Sequence, residues 1–190
     1  MNKENLYFIA VIPKRELRKK ITGFKQDFAK RFNSSKALKV FPHITLKAPF
    51  KYPSTAHHRV LDWFQNLQIN QKPFTIQLKD FGAFHNKMSP VIFIHPEPNI
   101  EMQSMQQEII KDFKSFLPAA VHPTDLKFNP HVTVAYRDLD RDNFHKAWEE
   151  YQHKKFAAAF EIDAFYLLQH DSKKWNIIST YDLKQEVGSL

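Results

Sequence analysis

Pro42-His43-Ile44-Thr45-Leu46 returns 88 positions later as Pro130-His131-Val132-Thr133-Val134. Each stretch alternates a polar residue with an aliphatic one, which is the period of a half-buried strand. In a strand, residues i and i+2 point to the same side. His43 and Thr45 therefore share one face while Ile44 and Leu46 turn to a core. His131 and Thr133 share a face in the same way, over Val132 and Val134. Lys47 would continue the first polar face, and Arg137 the second if that strand stays regular past Ala135.

The surroundings of the two stretches match. Before the first, Leu17, Ile21, Phe24, Phe28 and Phe32 recur at helical spacing, which predicts a helix over 14–32. After it, Ser54 can cap a second helix carrying Val60, Leu61, Phe64 and Leu67. A strand over 74–84, a turn at 85–89 and a strand over 90–95 follow. Before the second stretch, Met102, Met105, Ile109 and Phe113 form one helical stripe. After it, Asp140 or Asp142 can cap a helix to about 153. A strand over 156–168, a turn at 171–174 and a strand over 175–183 end the plan. The order is helix, His-x-Thr strand, helix, strand, turn, strand, twice. This predicts one α+β domain over residues 1–190, built from repeat units at approximately 14–95 and 98–183. The expected form is bilobal and pseudo-twofold, with two antiparallel sheets around a central cleft and helices outside.

Composition removes several classes of function. The 190 residues include no cysteine and 3 glycines. Disulfides, Cys-ligated metals, a cysteine nucleophile and a Gly-rich phosphate loop are thereby excluded. The apolar run Leu6 to Pro13 is too short, and too poor in flanking signals, for a secretory leader. No run reaches the roughly 20 apolar residues that span a bilayer. A cytoplasmic, monomeric protein without membrane contact is the expectation. Charge is uneven: residues 1–95 hold 17 Lys+Arg against 5 Asp+Glu, and residues 96–190 hold 11 against 15. A basic half suits a polyanion such as RNA, although a solvated helix face gives the same count.

Two opposed His/Thr faces suit phosphodiester cleavage. A neutral imidazole takes a proton from water or a hydroxyl, and an imidazolium protonates the leaving oxygen on the opposite side. The in-line arrangement needs a histidine on each side. Thr hydroxyls can donate to the non-bridging oxygens, and Lys47 or Arg137 can offset phosphate charge. The scheme needs no metal or cofactor, and two histidines without carboxylate or Cys partners make a poor zinc site. Tyr136, Phe50 and Phe84 are candidates to stack on a base. The remaining histidines, including His57 and His58, read as surface or structural, with His85 in a hairpin that could reach the cleft.

The paired Pro-His-x-Thr motifs, in this order and context, resemble the signatures of the two-histidine phosphoesterase superfamily. The nearest group is the 2',5'-RNA ligase-like proteins and their cyclic phosphodiesterase relatives. The resemblance spans nearly the whole chain. It implies a bilobal α+β fold with a central cleft. It implies hydrolysis of 2',3'-cyclic phosphate or 2',5'-phosphodiester ends of RNA or small nucleotides, or the reverse ligation. His43, Thr45, His131 and Thr133 match the catalytic positions; Lys47, Tyr136 and Arg137 are the expected substrate contacts. Two departures stand out. The group often carries an aromatic residue shortly after the first motif and an Arg shortly after the second; here Ala48 and Tyr136 hold those slots, with Phe50 and Arg137 just downstream. Two other readings fit the same residues: a non-catalytic RNA- or nucleotide-binding module, and a phosphodiesterase for a small molecule outside RNA.

Overall fold

The computed structural model describes residues 3–183. The chain runs β1 (Glu4–Val11), α1 (Arg15–Arg31), β2 (Ile44–Pro53), α2 (His57–Gln65), β3 (Phe74–Phe84), β4 (Val91–Pro96) and α3 (Ile100–Phe116). It continues with α4 (Pro123–Leu126), β5 (Val132–Ala135), α5 (Arg141–Tyr151), β6 (Ala157–Ile162), β7 (Ala164–His170) and β8 (Trp175–Asp182). The class is α+β, as the periodicity predicts.

The two expected sheets are one. The eight strands among the described residues join in a single antiparallel sheet, ordered β6-β3-β4-β5-β2-β1-β7-β8. The halves meet where Ile44 of β2 pairs with Val132 of β5. Each half takes strands from both sequence units: β3 and β4 stand beside β5 and β6, and β1 and β2 stand beside β7 and β8. The predicted strand over 156–168 breaks at Asp163. Its first part, β6, pairs with β3; its second, β7, pairs with β1. Five strands separate β6 from β7 in the sheet, yet one residue links them in the chain. That residue can bridge only about 7 Å, so the sheet must curl until its β6 edge nears β7.

The helices cover the outer face. On α1, Ile21 and Phe28 are buried; on α3, Met102, Met105, Ile109 and Phe113 are. α1 packs over β5, and α3 over β2. Aromatic rings fill much of this core: Phe28 lies 4.5 Å from Tyr151, and Phe50 lies 4.8 Å from Phe113. Such ring pairs add to the area they bury. Caps fix two helix starts. Asn99 accepts from the Met102 backbone N–H at 2.7 Å, and Asp140 from that of Asn143 at 2.8 Å, each satisfying an otherwise orphaned donor. Ser54 does not cap α2. It begins a helical turn, Ser54–Ala56, and α2 starts after Ala56 with no side-chain cap.

Two irregularities in β2 matter for the site. Against β1, the register steps by one residue between Thr45 and Lys47, and again between Lys47 and Phe50. Each extra residue is a bulge that re-aims the side chains beyond it. Leu46 and Lys47 are consequently both buried, breaking the alternation.

Candidate active site

Strand pairing sets the site. Ile44 and Val132 pair across β2 and β5 and are fully buried. The residues that flank them, His43 with Thr45 and His131 with Thr133, point to the other side of the sheet by the pleat. All four line one cavity of about 240 Å³ in the concave face.

The histidines are held alike. His43 Nδ1 lies 2.6 Å from the carbonyl of Phe41, and His131 Nδ1 lies 2.8 Å from that of Asn129. A carbonyl only accepts, so in each ring Nδ1–H donates. The neutral imidazole then keeps its lone pair on Nε2, the nitrogen left for a ligand. Ring contacts fix the planes: Phe8 lies 5.0 Å from His43, while Phe84 and Phe93 lie 5.0 and 5.4 Å from His131. Burial, and the nearby charges of Lys25 and His131, push the His43 imidazole down to about 4 against the pull of its Phe41 bond. Burial also lowers His131, with its Asn129 bond opposing. Both rings rest neutral near pH 7, and a neighbouring negative charge would favour their protonated forms.

The profile of the 2'-5' RNA ligase superfamily matches residues 13–174. The chain belongs to that superfamily. Among relatives of this superfamily member, a Bacillus pumilus protein named "Putative phosphoesterase" is 27% identical over 169 residues, covering 88% of this chain and 94% of its own. A Bacillus cytotoxicus protein of the same description is 28% identical over 176 residues, covering 92% and 95%. Solved structures share the fold. E. coli LigT complexed with 3'-AMP superposes with a TM-score of 0.69 at 15% identity, covering 96% of this chain and all of that one. TT0787 of Thermus thermophilus gives 0.66 at 17%, covering 95% and 99%.

The cation expected from β2 is not in this superfamily member's cleft. The bulge turns Lys47 inward, fully buried, where its Nζ pairs with Asp125 at 3.0 Å and donates to the Ala48 carbonyl at 2.8 Å. Asp125 also accepts from the backbone N–H groups of Ala48 and His122, at 2.8 and 2.7 Å. Gln106 of α3 donates to the Asp125 carbonyl at 2.9 Å. This knot ties α3 and α4 to the backbone of β2 just beyond Thr45. The second step in register buries Phe50 as well, stacked on Tyr7 at 5.6 Å. Phe50 therefore does not reach a substrate in the cleft.

Lys25 of α1 takes the place in the cavity that Lys47 leaves. It is 1% exposed, and its Nζ donates to the carbonyls of Ala37 and Val40 at 3.0 Å each. Two of its three N–H bonds are thus spent on the helical turn Lys36–Lys39 and its exit, while the residue lines the cavity beside His43. Burial pushes its ammonium down to about 7. A signal for it exists in the sequence: Lys25 interrupts the stripe Ile21, Phe28, Phe32, where a solvated lysine has no place.

Tyr136 and Arg137 both line the cavity. Arg137 sits at φ 63°, and the Asp138 N–H donates back to the Tyr136 carbonyl at 2.7 Å, so the chain turns tightly here. The guanidinium lies 5.2 Å from the Tyr136 ring. Asp138 accepts from Ser34 Oγ and from the Ser35 and Lys36 backbone N–H groups, each at 2.9 Å. It thereby clamps the loop after α1 to the rim after β5. Trp175 and Phe8, packed edge-on at 4.5 Å, form the opposite wall. His85 packs on Phe144 and Trp148, and His57 meets the Tyr7 hydroxyl at 2.8 Å. Neither lines this cavity. Among the described residues, no three His, Cys, Asp or Glu side chains converge as metal ligands, and no helix is long and apolar enough to cross a membrane.

Proposed function

We propose that this chain is a phosphodiesterase that uses His43 and His131 as an acid–base pair, without a metal. Its substrates are the 2',3'-cyclic phosphate or 2',5'-phosphodiester ends of RNA or small nucleotides. The observation that carries this reading is the matched setting of the two imidazoles. Each flanks the same bridged pair, each has Nδ1 engaged by a backbone carbonyl, and each is left with Nε2 for the cleft. Membership of the 2'-5' RNA ligase superfamily and the names of the relatives agree with it.

In this scheme one Nε2 accepts the proton of the attacking water and the other delivers one to the leaving oxygen. Thr45 and Thr133 donate to the non-bridging oxygens where charge redistributes. Lys25 and Arg137 supply the positive field that Lys47 does not. A bound phosphodiester anion raises both imidazole pKa values, since it favours their charged forms. The test is a panel of 2',3'-cyclic nucleotides, 2',5'-dinucleotides and 3',5'-dinucleotides with chelator present, products identified by mass. Turnover of the first two classes is expected. Silence on both, with folding intact, refutes it.

A further inference from the structure

Beside the cavity between the histidines lies a second chamber of about 430 Å³. The two chambers share Thr45 and His131, whereas His43 lines only the first. Phe84 and Phe128 wall the second chamber, and the exposed Thr124 and Lys127 stand at its rim. The Phe84 ring lies edge-on to His131 at 5.0 Å. A phosphate seated among the four motif residues therefore has room on both sides. His43 and Lys25 line the first chamber alone, whereas His131 lines both.

We infer that the second chamber is a leaving-alcohol subsite, holding the nucleoside-sized alcohol of an acyclic phosphodiester, with His131 as the acid. The inference rests on the phosphodiesterase reading and gives it a direction. In-line displacement puts nucleophile and leaving oxygen on opposite sides of phosphorus. The second chamber adjoins His131 and not His43, which places the leaving group on the His131 side. Water loses a proton to His43 Nε2 as its oxygen bonds to phosphorus. The P–O bond to the alcohol breaks, and that oxygen takes the proton from His131 Nε2–H. One water is consumed, and one phosphomonoester and one alcohol are formed. Lys25 fits this polarity, because a cation beside His43 favours the neutral base. Phe84 and Phe128 offer apolar walls to a base, and stacking of this kind is insensitive to which base it is. A 2',3'-cyclic phosphate has no use for the chamber, since its leaving oxygen stays on the same ribose.

The test compares a 2',5'-dinucleotide with the 2',3'-cyclic nucleotide of the same 5' base, in wild type, Phe128→Ala and Thr124→Trp. Thr124 is exposed, so that variant fills the chamber mouth without removing core. The ratio of kcat/KM for dinucleotide over cyclic nucleotide should fall about 10-fold or more in each folded variant. An unchanged ratio overturns the subsite. If wild type opens the cyclic phosphate but leaves every acyclic diester intact, the subsite is overturned and the phosphodiesterase reading stands. If neither is turned over, both fall. A nitrophenyl nucleoside diester, whose leaving group needs no proton, reads the polarity. The loss caused by His131→Ala should shrink about 10-fold or more on it relative to the dinucleotide, and that of His43→Ala should not. Rescue of His43→Ala instead, or of both alike, contradicts the assignment.

Discussion

Lys25 and His43 line one cavity, and the ammonium of the first opposes protonation of the second. The two come from different elements, α1 and the entry to β2, and only the fold brings them together. Replacing Lys25 by Met removes the repulsion and the proposed phosphate partner at once. The acid limb of kcat/KM should move to higher pH, towards the ordinary histidine value, and inhibition by inorganic phosphate should weaken by about 10-fold. A change in melting temperature alone, with an unmoved pH profile, would mean that Lys25 only braces the turn through the Ala37 and Val40 carbonyls.

The depressed histidines set a direction for pH. His43, at about 4, stays neutral and able to accept a proton at all higher pH. His131 is lowered too, so its acid form is lost as pH rises through a value below the usual one of about 6.5. The free-enzyme profile, kcat/KM, should therefore peak on the acid side of about pH 6.5. Because the bound anion raises both groups, the kcat profile should lie at higher pH than that of kcat/KM. Coincident profiles centred above neutrality would contradict this.

Asp125 neutralises a fully buried Lys47 at 3.0 Å. Asp125→Ala leaves that charge without its partner, at a cost of about 3–5 kcal/mol. Lys47→Met in the Asp125→Ala background should recover much of this loss, because no uncompensated charge remains. Urea unfolding of the two single variants and the double variant measures the coupling.

Arg137 adopts a left-handed backbone at φ 63°, which a side chain disfavours and glycine tolerates. Arg137→Gly should leave the melting temperature nearly unchanged, since relieved strain offsets the added freedom of the unfolded chain. It should raise KM about 10-fold by removing the guanidinium from the cavity wall. An unaffected KM would show that this arginine serves only the turn.

The helices and most strands are legible in the sequence because their signals are local. The stripe through Met102 and Phe113, the Asp140 cap and the span 74–84 need no distant partner to be read. The same holds for the shared face of His43 with Thr45 and of His131 with Thr133. What is not legible depends on pairing. The β2 bulges that bury Lys47 and Phe50 exist only against β1, so strict alternation sends Lys47 to the wrong side. The break at Asp163 sends two parts of one apolar run to different halves of the sheet. The single bridge between Ile44 and Val132, which makes one sheet of an expected two, joins residues far apart in the chain. Lys25 stands out in the sequence as a cation in an apolar helical stripe, but its meeting with His43 depends on the tertiary fold.

The paired-histidine mechanism is tested by the opening of a 2',3'-cyclic nucleotide, with chelator present, by wild type, His43→Ala, His131→Ala and the double variant, all shown to be folded. A loss of about 100-fold or more is expected in each single variant and little further loss in the double, as for two groups acting in one step. Near-wild-type turnover by either single variant would contradict it.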